Sequence, residues 1–85
     1  MSYEVVWEQR AYDQVAGHLA ANPSRVGEIA AAMRQIEADL ADTPAEVGES
    51  RQDEFRVMFP HPLTVYFEPV PAERTVYVVE VYLPR

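Results

Sequence analysis

Near Asp53 the hydrophobic period of this chain changes, and few folds accommodate the change. Upstream, Val26, Ile29, Met33, Ile36 and Leu40 recur at alternating steps of three and four, which draws one apolar stripe along a helix. Downstream the spacing falls to two: Phe55, Val57 and Phe59, then Leu63, Val65 and Phe67, then a nearly continuous apolar run from Thr75 to Leu83. A chain of 85 residues has material for a single core, so its helical and strand halves must share it. The fold class that follows is α+β, one domain over residues 1–85, with two helices on one face of a largely antiparallel sheet.

Local signals divide the chain further. Tyr3-Glu4-Val5-Val6-Trp7 is rich in β-branched and aromatic residues and reads as a first strand. From Gln9 to Ala21, Tyr12, Val15, Ala16 and Leu19 follow helical spacing, and Asn22-Pro23 ends the segment because the residue before proline avoids the α region. The same pair opens the next helix, with Asn22 as the expected N-cap acceptor and Pro23 in the first turn, so the two helices form an αα-hairpin. Ala41 to Gln52, marked by Pro44 and Gly48, is a connection with room for one helical turn. Pro60-His61-Pro62 and Pro69 to Arg74 are the two later turns.

The order is therefore β-α-α-β-β-β. Alternation places Phe55, Val57 and Phe59 toward the helices, with Glu54, Arg56 and Met58 on the opposite face. It likewise sets Leu63, Val65 and Phe67 against Thr64, Tyr66 and Glu68, and Tyr77, Val79, Val81 and Leu83 against Val78, Glu80 and Tyr82. The last strand, apolar almost throughout, is expected in the middle of the sheet.

Composition narrows the chemistry. Without cysteine there is no disulfide framework and no thiolate nucleophile. A metal site would need His18, His61 and carboxylates in a cluster that the spacing does not supply, and no cofactor motif is present. His18 flanks the apolar stripe of its helix and is expected to be a satisfied surface histidine, while Trp7 and Tyr12 are expected in the core or between the helices. Met1-Ser2-Tyr3-Glu4 has no basic, then apolar, leader, and no apolar run approaches the roughly 20 residues that span a bilayer, so a cytoplasmic protein is expected. The net charge of −7, with seven arginines and no lysine, disfavours nonspecific nucleic-acid binding and suits a basic partner or none.

The strand and helix order, the opening Tyr3–Trp7, the Asn22-Pro23 junction, the connector Thr43–Gly48 and the closing pair Pro62–Phe67 and Val76–Tyr82 together resemble the RelE/ParE superfamily of type II toxin–antitoxin toxins over essentially the whole chain. The resemblance implies a small toxin held inactive by a cognate antitoxin whose extended segments wrap it. One branch of that family cleaves messenger RNA in the ribosome without a metal, and another inhibits DNA gyrase. The RNases hold the scissile phosphate with basic residues on the open sheet face and at the C-terminus. By position these correspond to Arg56, less clearly Arg51, and Arg85, with Thr64 where an arginine is usual and with no family-type C-terminal helix and tyrosine. What the resemblance implies is a toxin acting by protein binding, of the gyrase-inhibitor kind. The alternatives are a metal-independent endoribonuclease and a non-toxic homodimeric module.

The expected open face gathers Arg56, Tyr66, Glu80 and Tyr82, with Thr64 beside them and His61 and Arg85 at the rims. As an RNA-handling patch, Arg56 and Arg85 would hold phosphate, the tyrosines would stack bases, and His61 or Glu80 would move a proton. The reading that the acidic Glu54, Glu68 and Glu80 favour is a plain sheet surface crossed by an Arg56–Glu80 pair, since they would repel phosphate on the same face. Met58, Tyr66, Val78 and Tyr82, gathered on one open face, would mark a protein interface.

Overall fold

The computed structural model of the chain describes residues 2–42, 44–50 and 54–84. Strand β1 (Glu4–Trp7) leads through Glu8 into helix α1 (Gln9–Ala21), and a 3₁₀ turn at Pro23–Arg25 joins it to helix α2 (Val26–Asp42). Four further strands follow: β2 (Glu49–Ser50), β3 (Arg56–Met58), β4 (Thr64–Val70) and β5 (Thr75–Tyr82), with a 3₁₀ turn at Pro71–Glu73 between the last two. They form one sheet in the order β1-β5-β4-β3-β2, antiparallel except for the parallel β1–β5 pair. The expected α+β class and its helices on one face hold, and β5 is an inner strand. The short edge strand β2 adds a fifth strand to the four expected, within the connector, where only loop and a helical turn were expected.

The core lies between the helices and one face of the sheet. Ile29, Ala32, Ile36 and Leu40 of α2 and Ala11 and Val15 of α1 meet Met58, Leu63, Val65, Phe67, Val76, Val78 and Val81. The α2 stripe read from spacing is thus the buried one, except that Val26 at its start stays exposed, Met33 is only partly buried and Ala32 joins it. At the helix junction Asn22 makes no N-cap hydrogen bond. Its Nδ2 instead donates to the His18 carbonyl (2.9 Å), closing the end of α1 rather than the start of α2. Trp7 ties β1 to α2 by donating from Nε1 to Glu37 Oε1 at 2.6 Å. Tyr12, expected to pack inside, is 63% exposed.

Two strand phases differ from the alternation expected. In β3 the core residue is Met58, while Phe59 is 58% exposed and Phe55 lies at the surface. The turn decides this. Pro60 to Leu63 closes by a Leu63 N–H to Pro60 carbonyl bond (2.7 Å) around a cis His61–Pro62 peptide, a type VI turn. That turn pairs Met58 with Val65, Val57 with Tyr66 and Arg56 with Phe67. Since Val65 and Phe67 face the core, Met58 and Arg56 share their side, and Phe55, Val57 and Tyr66 take the other. In β5 the register slips opposite Tyr66/Phe67, where Glu80 pairs with Tyr66 but Val78 with Phe67, leaving Val79 as an extra residue. After this bulge Val81 is buried as alternation predicts. Before it the phase inverts, so Val76 and Val78 are buried and Tyr77 and Val79 turn outward. The second turn is also tighter than expected: Pro69 and Val70 belong to β4, and Arg74 closes the turn in the left-handed region at φ 50.

Gly48 is required where the connector enters β2. Its φ is +70, and a Cβ there would collide with the Val57 carbonyl, 2.8 Å from its carbon. Gly17 of α1 has no atom within 4 Å of such a Cβ. Gly48→Ala is expected to cost at least about 2 kcal/mol, from the left-handed backbone and the clash together. Gly17→Ala is expected to stabilise by about 0.5–1 kcal/mol, as removal of glycine from a helix interior does. Urea unfolding of the two variants checks both signs.

Candidate functional site

The open face of the sheet, away from the helices, carries the residues that alternate with the core. Thr64 and Tyr66 of β4 stand opposite Tyr82 and Glu80 of β5, and Glu68 opposite Tyr77. Tyr66 and Tyr82 meet edge to face, ring centroids 6.0 Å apart. Helix α1 supplies the wall at one side. Because β1 ends at Trp7 and Glu8 N–H bonds the Val78 carbonyl (3.0 Å), the first turn of α1 passes close to the bulge, and Arg10 Nη2 reaches Glu80 Oε1 at 2.9 Å. Tyr82 donates its hydroxyl to the other oxygen of Glu80 at 2.5 Å. Both oxygens of this carboxylate are engaged. The groove bounded by Glu8, Arg10, Phe55, Tyr66, Glu68, Val79 and Glu80 has a volume of about 660 Å³.

Its electrostatics are acidic: three carboxylates stand against one guanidinium, and that guanidinium is spent on Glu80. Glu8 precedes α1 without making a cap bond, and neither it nor Glu68 has a side-chain partner among the described residues. The Tyr82 hydroxyl is held above its ordinary pKa of 10.0, first by its hydrogen bond to Glu80, then by desolvation and the Glu80 charge, with Arg10 opposing. Tyr77 is raised in the same direction by its bond to Glu73 (2.8 Å).

Of the residues singled out in the sequence, Thr64, Tyr66, Glu80 and Tyr82 come together on this face. Arg56 does not join them. Opposite Phe67 in register, it lies on the other side of the sheet, where Nε donates to the Val47 carbonyl (2.9 Å), Nη2 to the Gly48 carbonyl (3.1 Å) and Nη1 to Ser50 Oγ (3.3 Å). The guanidinium fastens the connector that becomes β2, and Glu80 pairs with Arg10 in its place. Met58 and Val78, expected exposed, are core residues at 5% and 0% exposure, so neither can contact a partner. Both errors come from strand phase. His61 sits exposed in the type VI turn, and its ring makes no hydrogen bond or ion pair among the described residues. Arg85 and Arg51 lie outside the described residues. No three His, Asp or Glu side chains among the described residues are grouped to hold a metal ion. No helix among them is long and apolar enough to cross a membrane.

Arg10, Glu8, Phe55 and Val79 escaped the sequence reading. The last two were assigned to the core by simple alternation. Arg10 carries no local signal toward Glu80, since its position depends on where β1 stops.

The fold is shared with chains of two solved toxin–antitoxin systems. A chain of the toxin–antitoxin complex RelBE2 from Mycobacterium tuberculosis superposes with a TM-score of 0.78 at 18% identity, over 99% of this chain and 93% of that one. A chain of the chromosomal ParDE system from P. aeruginosa gives 0.79 at 10% identity, over 99% and 98%. No family model and no curated protein sequence matches.

The Glu80–Tyr82 bond makes a pH prediction. A tyrosine whose folded pKa is raised contributes stability that is present below its unfolded value near 10.0 and is lost as pH rises through the folded value. Phenolate absorbance during alkaline titration should show Tyr82 ionising late in the wild type. In Glu80→Gln it should ionise earlier, toward 10.0, because the carboxylate acceptor and its charge are gone.

Proposed function

We propose that this chain is the toxin-like component of a type II toxin–antitoxin pair, acts by binding a protein target in the manner of the gyrase inhibitors, and is neutralised by a cognate antitoxin. The observation that carries the reading is the inverted chemistry of the open face. The RNases of the resembled family keep basic residues there to hold a phosphate. Here the groove presents Glu8, Glu68 and Glu80, and its arginine is already paired. A negative charge developing on the phosphoryl oxygens would meet no free cation among the described lining residues and would be repelled by two uncompensated carboxylates. The net charge of −7 acts in the same direction at longer range. Antitoxin binding is supported by the structural neighbours, which come from toxin–antitoxin systems.

Expression of the chain without a partner tests this. The expected outcome is arrested growth with transcript ends unchanged, together with loss of supercoiling by gyrase in a purified assay. Codon-positioned cleavage of transcripts would replace the reading with an endoribonuclease. Unaffected growth with a dimer in light scattering would replace it with a homodimeric binding module.

A further inference from the structure

The groove on the open face combines three features that recognise one kind of ligand. It is concave, about 660 Å³, a size that accommodates side chains rather than a single ion. Part of its wall is apolar or aromatic: Phe55 is 36% exposed, Tyr66 is half-buried, and Val79 is turned out to the face by the bulge. Its charge is one-sided, because Arg10 cancels Glu80 while Glu8 and Glu68 have no side-chain partner among the described residues. The two free carboxylates come from different elements, one at the start of α1 and one on β4, so they do not simply reflect an acidic stretch of sequence.

From this geometry we infer that the groove binds a cationic peptide segment of a protein partner, one that presents arginine or lysine beside aliphatic or aromatic side chains. The basic groups meet Glu8 and Glu68 and the apolar ones rest on Phe55, Tyr66 and Val79. Arginine suits the site better than lysine, since its planar guanidinium can take a carboxylate and lie on the Tyr66 ring. The chain as a whole, at −7, draws such a segment in and accelerates encounter. This deepens the protein-binding reading above by giving the partner a chemistry. A nucleic acid is the opposite ligand, and the same charges exclude it.

The test is an NMR titration of the full chain with a short peptide of alternating arginine and leucine. The expected result is that amide shifts cluster at Tyr66, Val79 and Glu80, and that affinity falls as salt is raised. Glu8→Gln combined with Glu68→Gln should weaken binding about tenfold, the combined worth of two part-exposed ion pairs, while retaining a folded spectrum. Tyr12→Ala, in the cleft between the helices, should leave binding unchanged. Equal affinity for a glutamate–leucine peptide, indifference to the double substitution, shifts centred on Leu19 and Met33, or saturable RNA binding in the groove would each overturn the inference. Growth arrest is scored separately. Peptide binding without toxicity removes the toxin reading and keeps this one, and toxicity without peptide binding does the reverse.

Discussion

Strand β5 changes partners halfway along, and the rest of the molecule is arranged around that change. From Thr75 to Val78 its outer edge is covered by the parallel strand β1. Beyond Val78 no strand continues, and an unpaired amide and carbonyl at the buried Val81 would each cost about 1–3 kcal/mol. Helix α1 meets both. The Val81 N–H donates to Gln14 Oε1 at 2.6 Å, and His18 Nε2 lies 2.8 Å from the Val81 carbonyl, which makes Nε2 the protonated nitrogen. Gln14 and His18 are one helical turn apart, so one face of α1 substitutes for the missing strand. The bulge at Val79 falls at the same place, where β5 passes from one kind of partner to the other.

This arrangement links the core to the groove. Fixing α1 along the β5 edge seats Ala11 and Val15 in the core and, on the same helix, brings Arg10 to Glu80. The other end of the sheet is secured by a comparable device. Arg56 donates to the carbonyls of Val47 and Gly48 and so holds the short strand β2 against β3, with Gly48 allowing the chain to pass close to Val57. In both places a polar side chain satisfies backbone groups that the ladders leave open.

Much of the fold was legible in the sequence because it rests on period. The bounds of α1, the α2 stripe and the alternation of β4 follow from spacing alone. What was not legible depends on pairing. The phase of β3 is set by the parity of the Pro60–Leu63 turn, and no property of Phe55 or Phe59 announces that they face outward. The phase of β5 is divided by a bulge that coincides with the end of β1, over 70 residues earlier in the chain. The candidate site suffered accordingly. Thr64, Tyr66, Glu80 and Tyr82 lie where alternation places them because Glu80 and Tyr82 follow the bulge and pair with Tyr66 and Thr64, whereas alternation sets Met58, Val78 and Arg56 on the wrong face. His18 was read correctly as a satisfied residue, and its i,i+4 relation to Gln14 beside the apolar stripe was the available signal for edge coverage.

The unpaired carboxylates of the groove also limit what can close over it. Exposed at Glu8 and only half-buried at Glu68, these carboxylates still reach water and cost the free protein little. Covered by a neutral apolar surface, each would lose hydration without gaining a counter-charge, a penalty of several kcal/mol per ion that contact area of this size does not offset. A partner with positive groups in register avoids the cost, and its own desolvation is compensated by the same carboxylates. Glu80 differs, because Arg10 and Tyr82 already engage both oxygens, so it can be buried beneath any partner without a new cation. In the peptide binding proposed above, Glu8 and Glu68 would be the discriminating groups, penalising neutral and anionic ligands, while Phe55, Tyr66 and Val79 would supply the area that a bound segment covers.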